Sequence, residues 1–178
     1  METILIKDRH FALSISESEI QQAVKRVAEQ MNKELEGTNP LFICVLNGAF
    51  MFAGDLMKYF NLPCEITFVK LSSYAGLYTT GEVKEVMGLS ESVVGRNVVV
   101  VEDIVDTGIT IDRILTSLNA KGAKSIKVAT FLQKPDALKC NIKIDYVAIK
   151  IPNDFIVGYG LDYDGYGRNL KDIYTVVS

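Results

Sequence analysis

Four consecutive valines, Val98–Val101, run into Glu102 and Asp103, and the chain continues Ile104-Val105-Asp106-Thr107-Gly108-Ile109-Thr110. An apolar run without polar alternation is the pattern of a strand covered on both faces. Such a strand belongs in a sheet with helices on either side, because a sheet with one wet face would alternate. The next segment is spaced to supply a helix. Ile111, Leu115 and Leu118 share one face of residues 109–120, and Gly122 ends that pattern. SIKVATFLQ (125–133) reads as the following strand, so 98–133 forms a β-α-β unit with a right-handed parallel crossover.

The flanking segments repeat the alternation. Ser16 opens a capping box with Glu19, followed by Ile20, Val24, Val27, Met31 and Leu35 at helical spacing and Gly37 as the stop. LFICVL (41–46) reads as a buried strand, NGA as a turn and 50–60 as a helix. After Pro63, EITFVKL (65–71) is another strand. Residues 72–82, SSYAGLYTTGE, carry glycines and hydroxyls without an apolar period and read as a loop, with a strand at 83–89. IDYVAIKI (144–151) and FIVGYG (155–160) add two strands ahead of a short polar tail. The expected fold is α/β: a mostly parallel twisted sheet flanked by helices, with a small hood or lid region. At 178 residues the chain is expected to be one domain, 1–178. In such sheets ligands bind beyond the carboxyl ends of the strands, where Glu102–Thr110 falls.

Bulk chemistry narrows the classes. The net charge is −3, from 19 basic and 22 acidic residues, with no long cationic run, which argues against a nucleic-acid binder. Cys44, Cys64 and Cys140 are odd in number, far apart and without a CxxC pair, so neither a disulfide framework nor a zinc knuckle is expected. The opening METILIKDRH lacks the apolar core of a secretory signal, and the most apolar window is shorter than the roughly 20 residues a membrane span needs. A cytoplasmic protein without a membrane partner is expected. His10, the single histidine, reads as a solvated terminal residue and leaves no histidine-centred triad elsewhere. Cys44 and Cys64 read as buried small hydrophobes.

Glu102, Asp103 and Asp106 crowd a place where a helix begins, and helix starts favour anions. Asp106-Thr107-Gly108-Ile109-Thr110 offers backbone N–H groups, two hydroxyls and a glycine that permits close approach. It is neither a Walker A loop nor GxGxxG. Carboxylates beside such a seat suit a sugar phosphate, accepting hydrogen bonds from its diol or facing a divalent cation. Neighbours on a strand point to opposite faces, so both acids reach one ligand only if the strand end twists or one acts through water. DYDG (162–165) lacks the glycine position and closing glutamate of a calcium loop.

This apolar strand, acid pair and D-T-G-I-T resembles the signature of the type I phosphoribosyltransferases, and the resemblance to the 6-oxopurine branch runs from about Leu41 to Arg168. It implies transfer of the 5-phosphoribosyl group from phosphoribosyl pyrophosphate to hypoxanthine or guanine, giving IMP or GMP and pyrophosphate, with Mg²⁺ as cofactor. It further implies a 5′-phosphate on Asp106, Thr107, Gly108, Ile109 and Thr110, and Asp106 as the base that takes the purine proton. Glu102 and Asp103 would face the ribose hydroxyls and metal, and Asp162 a second Mg²⁺ through pyrophosphate. Lys134 would donate to the purine 6-oxo group. Phe155 would stack on the base, and backbone near Ile156 would bind its edge, so that 152–178 contributes to the base pocket. Leu46, Asn47 and Gly48 match a pyrophosphate loop that holds a non-proline cis peptide in relatives. That loop often carries a basic residue where this chain has Asn47. Arg168 would bind pyrophosphate, and Ser73 and Tyr74 would fold over it as part of a lid at about 72–82. Relatives form dimers or tetramers, so a homo-oligomer is expected. Two alternatives stay open: the same donor with xanthine or a pyrimidine as acceptor, and a regulatory module that senses phosphoribosyl pyrophosphate and grips RNA.

Overall fold

The computed structural model of the chain describes residues 3–72 and 84–177. Ser73, Tyr74 and all but the first residue of the expected lid lie outside them. The chain begins with strands β1 (Thr3–Ile6) and β2 (Arg9–Ile15) and helix α1 (Glu17–Glu34). Next come β3 (Leu41–Leu46), α2 (Phe50–Tyr59), β4 (Glu65–Ser72) and β5 (Lys84–Met87). Then follow β6 (Asn97–Val105), α3 (Ile109–Ala120), β7 (Ser125–Gln133), β8 (Tyr146–Lys150), β9 (Ile156–Val157) and β10 (Ile173–Val176).

The larger sheet has the order β5-β4-β3-β6-β7-β8. Strands β4, β3, β6, β7 and β8 run parallel, and β5 is an antiparallel edge. The valine run sits near its middle and meets both faces. Val99 and Val101 enter the core formed with α1 and α2, beside Phe42, Phe52 and Phe131. Val98 and Val100 enter the core under α3, beside Ile43, Ile111 and Leu118. All four are at most 1% exposed. The lack of alternation therefore has its cause in two helical layers. Helix α1 starts as its residues dictate. The Ser16 N–H donates to Glu19 Oε2 at 2.8 Å and the Glu19 N–H to Ser16 Oγ at 3.4 Å. Its apolar stripe, Ile20 to Met31, is buried.

The termini depart from the sequence reading. Residues 3–15 form a β1–β2 hairpin, and the expected polar tail contains β10, which pairs with β2 and β9 in a second, antiparallel sheet of order β1-β2-β10-β9. FIVGYG contributes only Ile156–Val157, to this small sheet rather than to the parallel one. The pairing that creates it joins Ile15 to Ile173, which no local pattern reveals, and the hairpin turns at Lys7-Asp8 with Lys7 at φ 55°, without the usual Asn-Gly signal. His10 lies in β2, exposed as expected. Cys44 is fully buried, and burial pushes its thiol up to about 12. Cys64 is only half-buried, ahead of β4 rather than within it. No described helix is long and apolar enough to cross a membrane.

Val100→Ala should lower stability to urea by about 1–3 kcal/mol, the worth of a buried valine side chain and its cavity. Val94→Ala, at a residue 71% exposed, should change it by no more than about 0.5 kcal/mol. Equal losses would contradict the two-sided burial of β6.

Candidate active site

Strands β3 and β6 pair only from Leu41–Cys44 against Val98–Val101. Past that point their ends run on without a ladder between them. This is also where chain order reverses: β3 leads to β4 on one side, while β6 leads to β7 and β8 on the other. Crevices at such switch points are where open α/β sheets bind ligands. Here the opening is a cavity of about 360 Å³, lined by Leu46, Glu102, Asp103, Asp106, Gly108, Thr110 and Arg113 among others.

Both strand-end acids face this cavity, so the strand end turns enough to bring them together. The Asp103 N–H donates to Glu102 Oε1 at 3.3 Å, and the Ile104 N–H to Asp103 Oδ1 at 2.7 Å. Glu102 is 6% exposed. Burial, and then the Asp103 carboxylate beside it, hold the Glu102 carboxyl well above the usual range. Burial also raises Asp103, but a hydrogen bond from the Glu102 carboxyl and the field of Arg168 oppose that. Burial thus disfavours the charged form of both acids, and of Glu102 above all.

After the acids, Asp106 turns the chain. Its Oδ1 accepts the Thr107 N–H at 2.5 Å, and Thr107 Oγ1 accepts the Ile109 N–H at 3.5 Å. Gly108 takes φ 81°, and an added Cβ there would lie 2.9 Å from Leu138 and Ile142. Gly108 at the N-cap has no side chain and Thr107 takes only the Ile109 N–H, so the Thr110 and Ile111 N–H groups of the first turn are left for a guest. The pairing of Val105 with Gln133 sets Asp106 and Lys134 side by side at neighbouring strand ends, and the Lys134 N–H donates to the Val105 carbonyl at 2.9 Å.

A second row of contacts joins the remaining residues. The Leu46–Asn47 peptide is cis. Gly48 lies so close to Asp103 that a Cβ would overlap the carboxylate, and a Cβ on Gly160 would overlap the Gly48 carbonyl. Arg168 holds the Gly160 carbonyl with one guanidinium nitrogen at 2.7 Å and Asp162 with another at 2.8 Å. Asp162 also accepts the Gly165 N–H at 2.7 Å, so it does not converge on the acid pair. Among the described residues no three His, Cys, Asp or Glu are grouped to hold a metal. The acid pair suits a Mg²⁺ that arrives with its own phosphates, since that ion takes one or two carboxylates and fills its shell from phosphate and water.

The base-side residues sit apart from the cavity. Phe155, 46% exposed, stands edge-on to Tyr163 at 5.8 Å and near Phe11 at 6.3 Å, on the small sheet. The Ile156 side chain points into the core, leaving only its backbone for a ligand. Three contributors escape the sequence motifs. Tyr159 donates to Asp55 on α2 at 2.6 Å, fastening the segment that carries Gly160, and nothing local marks it. Leu71 and Arg113 line the cavity. Only Arg113 had a signal, its spacing of four residues from Ile109 on a helix.

Glu102 makes a testable contribution to stability. An acid raised in the folded state binds more protons there than in the unfolded chain, so it stabilises the fold below about pH 4.5 and loses that effect as pH climbs through the raised value. Glu102→Gln keeps a neutral group at all pH. Urea unfolding of the wild type should weaken from pH 5 to 8 relative to the glutamine variant, and identical slopes would remove the proton from Glu102.

Residues 15–164 match the model of the phosphoribosyl transferase domain. The hypoxanthine-guanine phosphoribosyltransferase of Bacillus subtilis is 43% identical over 160 residues, 89% of each chain. A crystal structure of a hypoxanthine-guanine phosphoribosyltransferase from Bacillus anthracis, with HEPES in its active site, superposes with a TM-score of 0.87 at 38% identity, covering 94% of this chain and 97% of that one. A hypoxanthine phosphoribosyltransferase from Staphylococcus aureus gives a TM-score of 0.88 at 36% identity, covering 93% and 91%. Sequence and fold thus both match proteins of one kind, and this chain belongs to the phosphoribosyltransferase family, in its hypoxanthine–guanine branch.

Proposed function

We propose that the chain transfers the 5-phosphoribosyl group from phosphoribosyl pyrophosphate to hypoxanthine or guanine, releasing pyrophosphate and IMP or GMP. The observation that carries this is the switch-point cavity, where a helix start without an N-cap side chain meets the acid pair and Asp106, with Lys134 at the neighbouring strand end. The 5′-phosphate rests on the amides and hydroxyls of Asp106–Thr110. Asp103 and Glu102 face the ribose hydroxyls. Mg²⁺, brought in on the substrate, would sit on this acid side and neutralise the departing pyrophosphate.

Displacing pyrophosphate builds positive charge at C1 of the ribose and negative charge on the leaving group. Arg168 spends two donors on Gly160 and Asp162 and keeps others of its five for pyrophosphate, beside the amides of the Leu46-Asn47-Gly48 loop. Asn47 supplies no charge there, so the loop acts through its backbone. Lys134 donates to the purine 6-oxo oxygen. Phe155 covers the ring, and Asp106 accepts the proton the purine nitrogen sheds. Asp162 would be the residue to hold a second Mg²⁺ on the pyrophosphate side, where the ion would offset the leaving group's charge. We place the protein in the cytoplasm, in keeping with three free cysteines. It acts as a homodimer or homotetramer, in keeping with Ile66 and Phe68, 40% and 41% exposed on one face of β4.

Pure protein given Mg²⁺, phosphoribosyl pyrophosphate and each purine in turn should release pyrophosphate with hypoxanthine or guanine. Release with neither, or only with xanthine or a pyrimidine, would overturn the assignment. Asp106→Asn should cut kcat about 10²–10⁴-fold, the usual worth of a general base, while phosphoribosyl pyrophosphate still binds. Near-wild-type kcat would remove Asp106 from that role. Lys134→Ala should raise KM for the purine more than for phosphoribosyl pyrophosphate, and equal rises would refute its placement.

A further inference from the structure

Arg113 is the cavity residue to which the proposed reaction assigns no role. It is exposed on α3 and lines the cavity together with Glu102, Asp103 and Asp106. It is the one cation among the described lining residues. Its guanidinium makes no hydrogen bond or ion pair among the described residues, and its helical neighbours explain why. The positions three and four away are Ile109, Thr110, Thr116 and Ser117, none of them acidic. A cation near the start of a helix also stands at the end where the backbone dipole disfavours positive charge. Among the described residues, then, none pairs directly with this charge.

Geometry supplies what the protein does not. Side chains on a helix lean toward its N-terminus and lie over the residues three and four before them. From Arg113 that direction leads back over Ile109 and Thr110, the first residues of α3. Gly108 and Thr110 line the cavity together with Arg113, so a group seated on the loop amides lies in the space the guanidinium borders. Glu102, Asp103 and Asp106 line the same cavity, so a dianion entering it needs a counter-charge.

We infer that Arg113 is a further substrate-binding residue, gripping the 5′-phosphate monoester of the phosphoribosyl group from the side facing away from the loop amides. This rests on the reading that Asp106–Thr110 seat that phosphate. A planar guanidinium offers two parallel N–H donors to two phosphate oxygens, which a lysine does only in part. The contact forms with the phosphate and with nothing on the base, so it separates phosphorylated from unphosphorylated ligands.

Calorimetric titration of the wild-type protein, Arg113→Ala and Arg113→Lys with inosine 5′-monophosphate and with inosine tests this. In Arg113→Ala the monophosphate affinity should fall about ten- to a hundred-fold, the usual worth of charge-assisted hydrogen bonds, while inosine binding stays the same. Arg113→Lys should recover part of the loss. KM for phosphoribosyl pyrophosphate should rise in Arg113→Ala while KM for the purine does not. A wild-type protein that prefers the monophosphate, with Arg113→Ala keeping that preference, would overturn the role of Arg113 and leave the phosphate seat standing. Equal weakening of both ligands would make Arg113 structural and overturn it too. A wild-type protein that binds inosine as tightly as its monophosphate would overturn the seat itself, and Arg113 with it.

Discussion

The site depends on one constraint: two carboxyl groups, Glu102 buried and Asp103 half-buried, lie side by side where β6 outruns its pairing with β3. An isolated buried carboxylate is costly, and two ionised side by side cost more. Burial and the neighbouring Asp103 carboxylate raise Glu102, while the Ile104 N–H and the field of Arg168 oppose the rise that burial imposes on Asp103. The arrangement has consequences on either side. Asp103 needs the space that only a glycine at position 48 leaves. Gly48 in turn is pressed by Gly160, whose carbonyl Arg168 holds. Acid pair, cis-peptide loop and C-terminal segment are therefore one packed unit, in which displacing one member displaces the next.

Local chemistry made the central layer legible before any coordinates. Four valines without alternation could mean only a strand with helices on both faces, and β6 divides them two and two between the cores. The capping box of Ser16 and Glu19, the limits of α3 and of β7, and the turn at Asp106–Thr110 followed from short-range rules that tertiary packing had no reason to override. The acid pair was legible as residues but not as geometry. Alternation along a strand opposes a shared ligand, and only the end of the β3–β6 ladder resolves this, a fact about pairing rather than about sequence.

The small sheet was invisible for a related reason. Strands β1 and β2 turn through Lys7-Asp8, and β10 sits in a stretch that reads as polar tail. Strand β1 holds only to the adjacent β2, but β2 and β10 pair Ile15 with Ile173 and Phe11 with Val176, so each is stabilised by a neighbour no window contains. The same holds for Tyr159, whose hydroxyl finds Asp55 across the fold. The base-side residues inherit the difficulty: Phe155 rides on this sheet, so its distance from Asp106 is set by how the sheet seats on the core through Ile156 and Ile173. A motif carried residue identity in these cases and left placement to long-range packing.

A crystal of the protein grown with inosine 5′-monophosphate tests the central claim most directly, because it locates the anion relative to the acids. The phosphate should lie within hydrogen-bond distance of the N–H groups of residues 107–110, with the ribose hydroxyls toward Asp103 and Glu102. Phosphate density on the small sheet, or anywhere away from the start of α3, would contradict it.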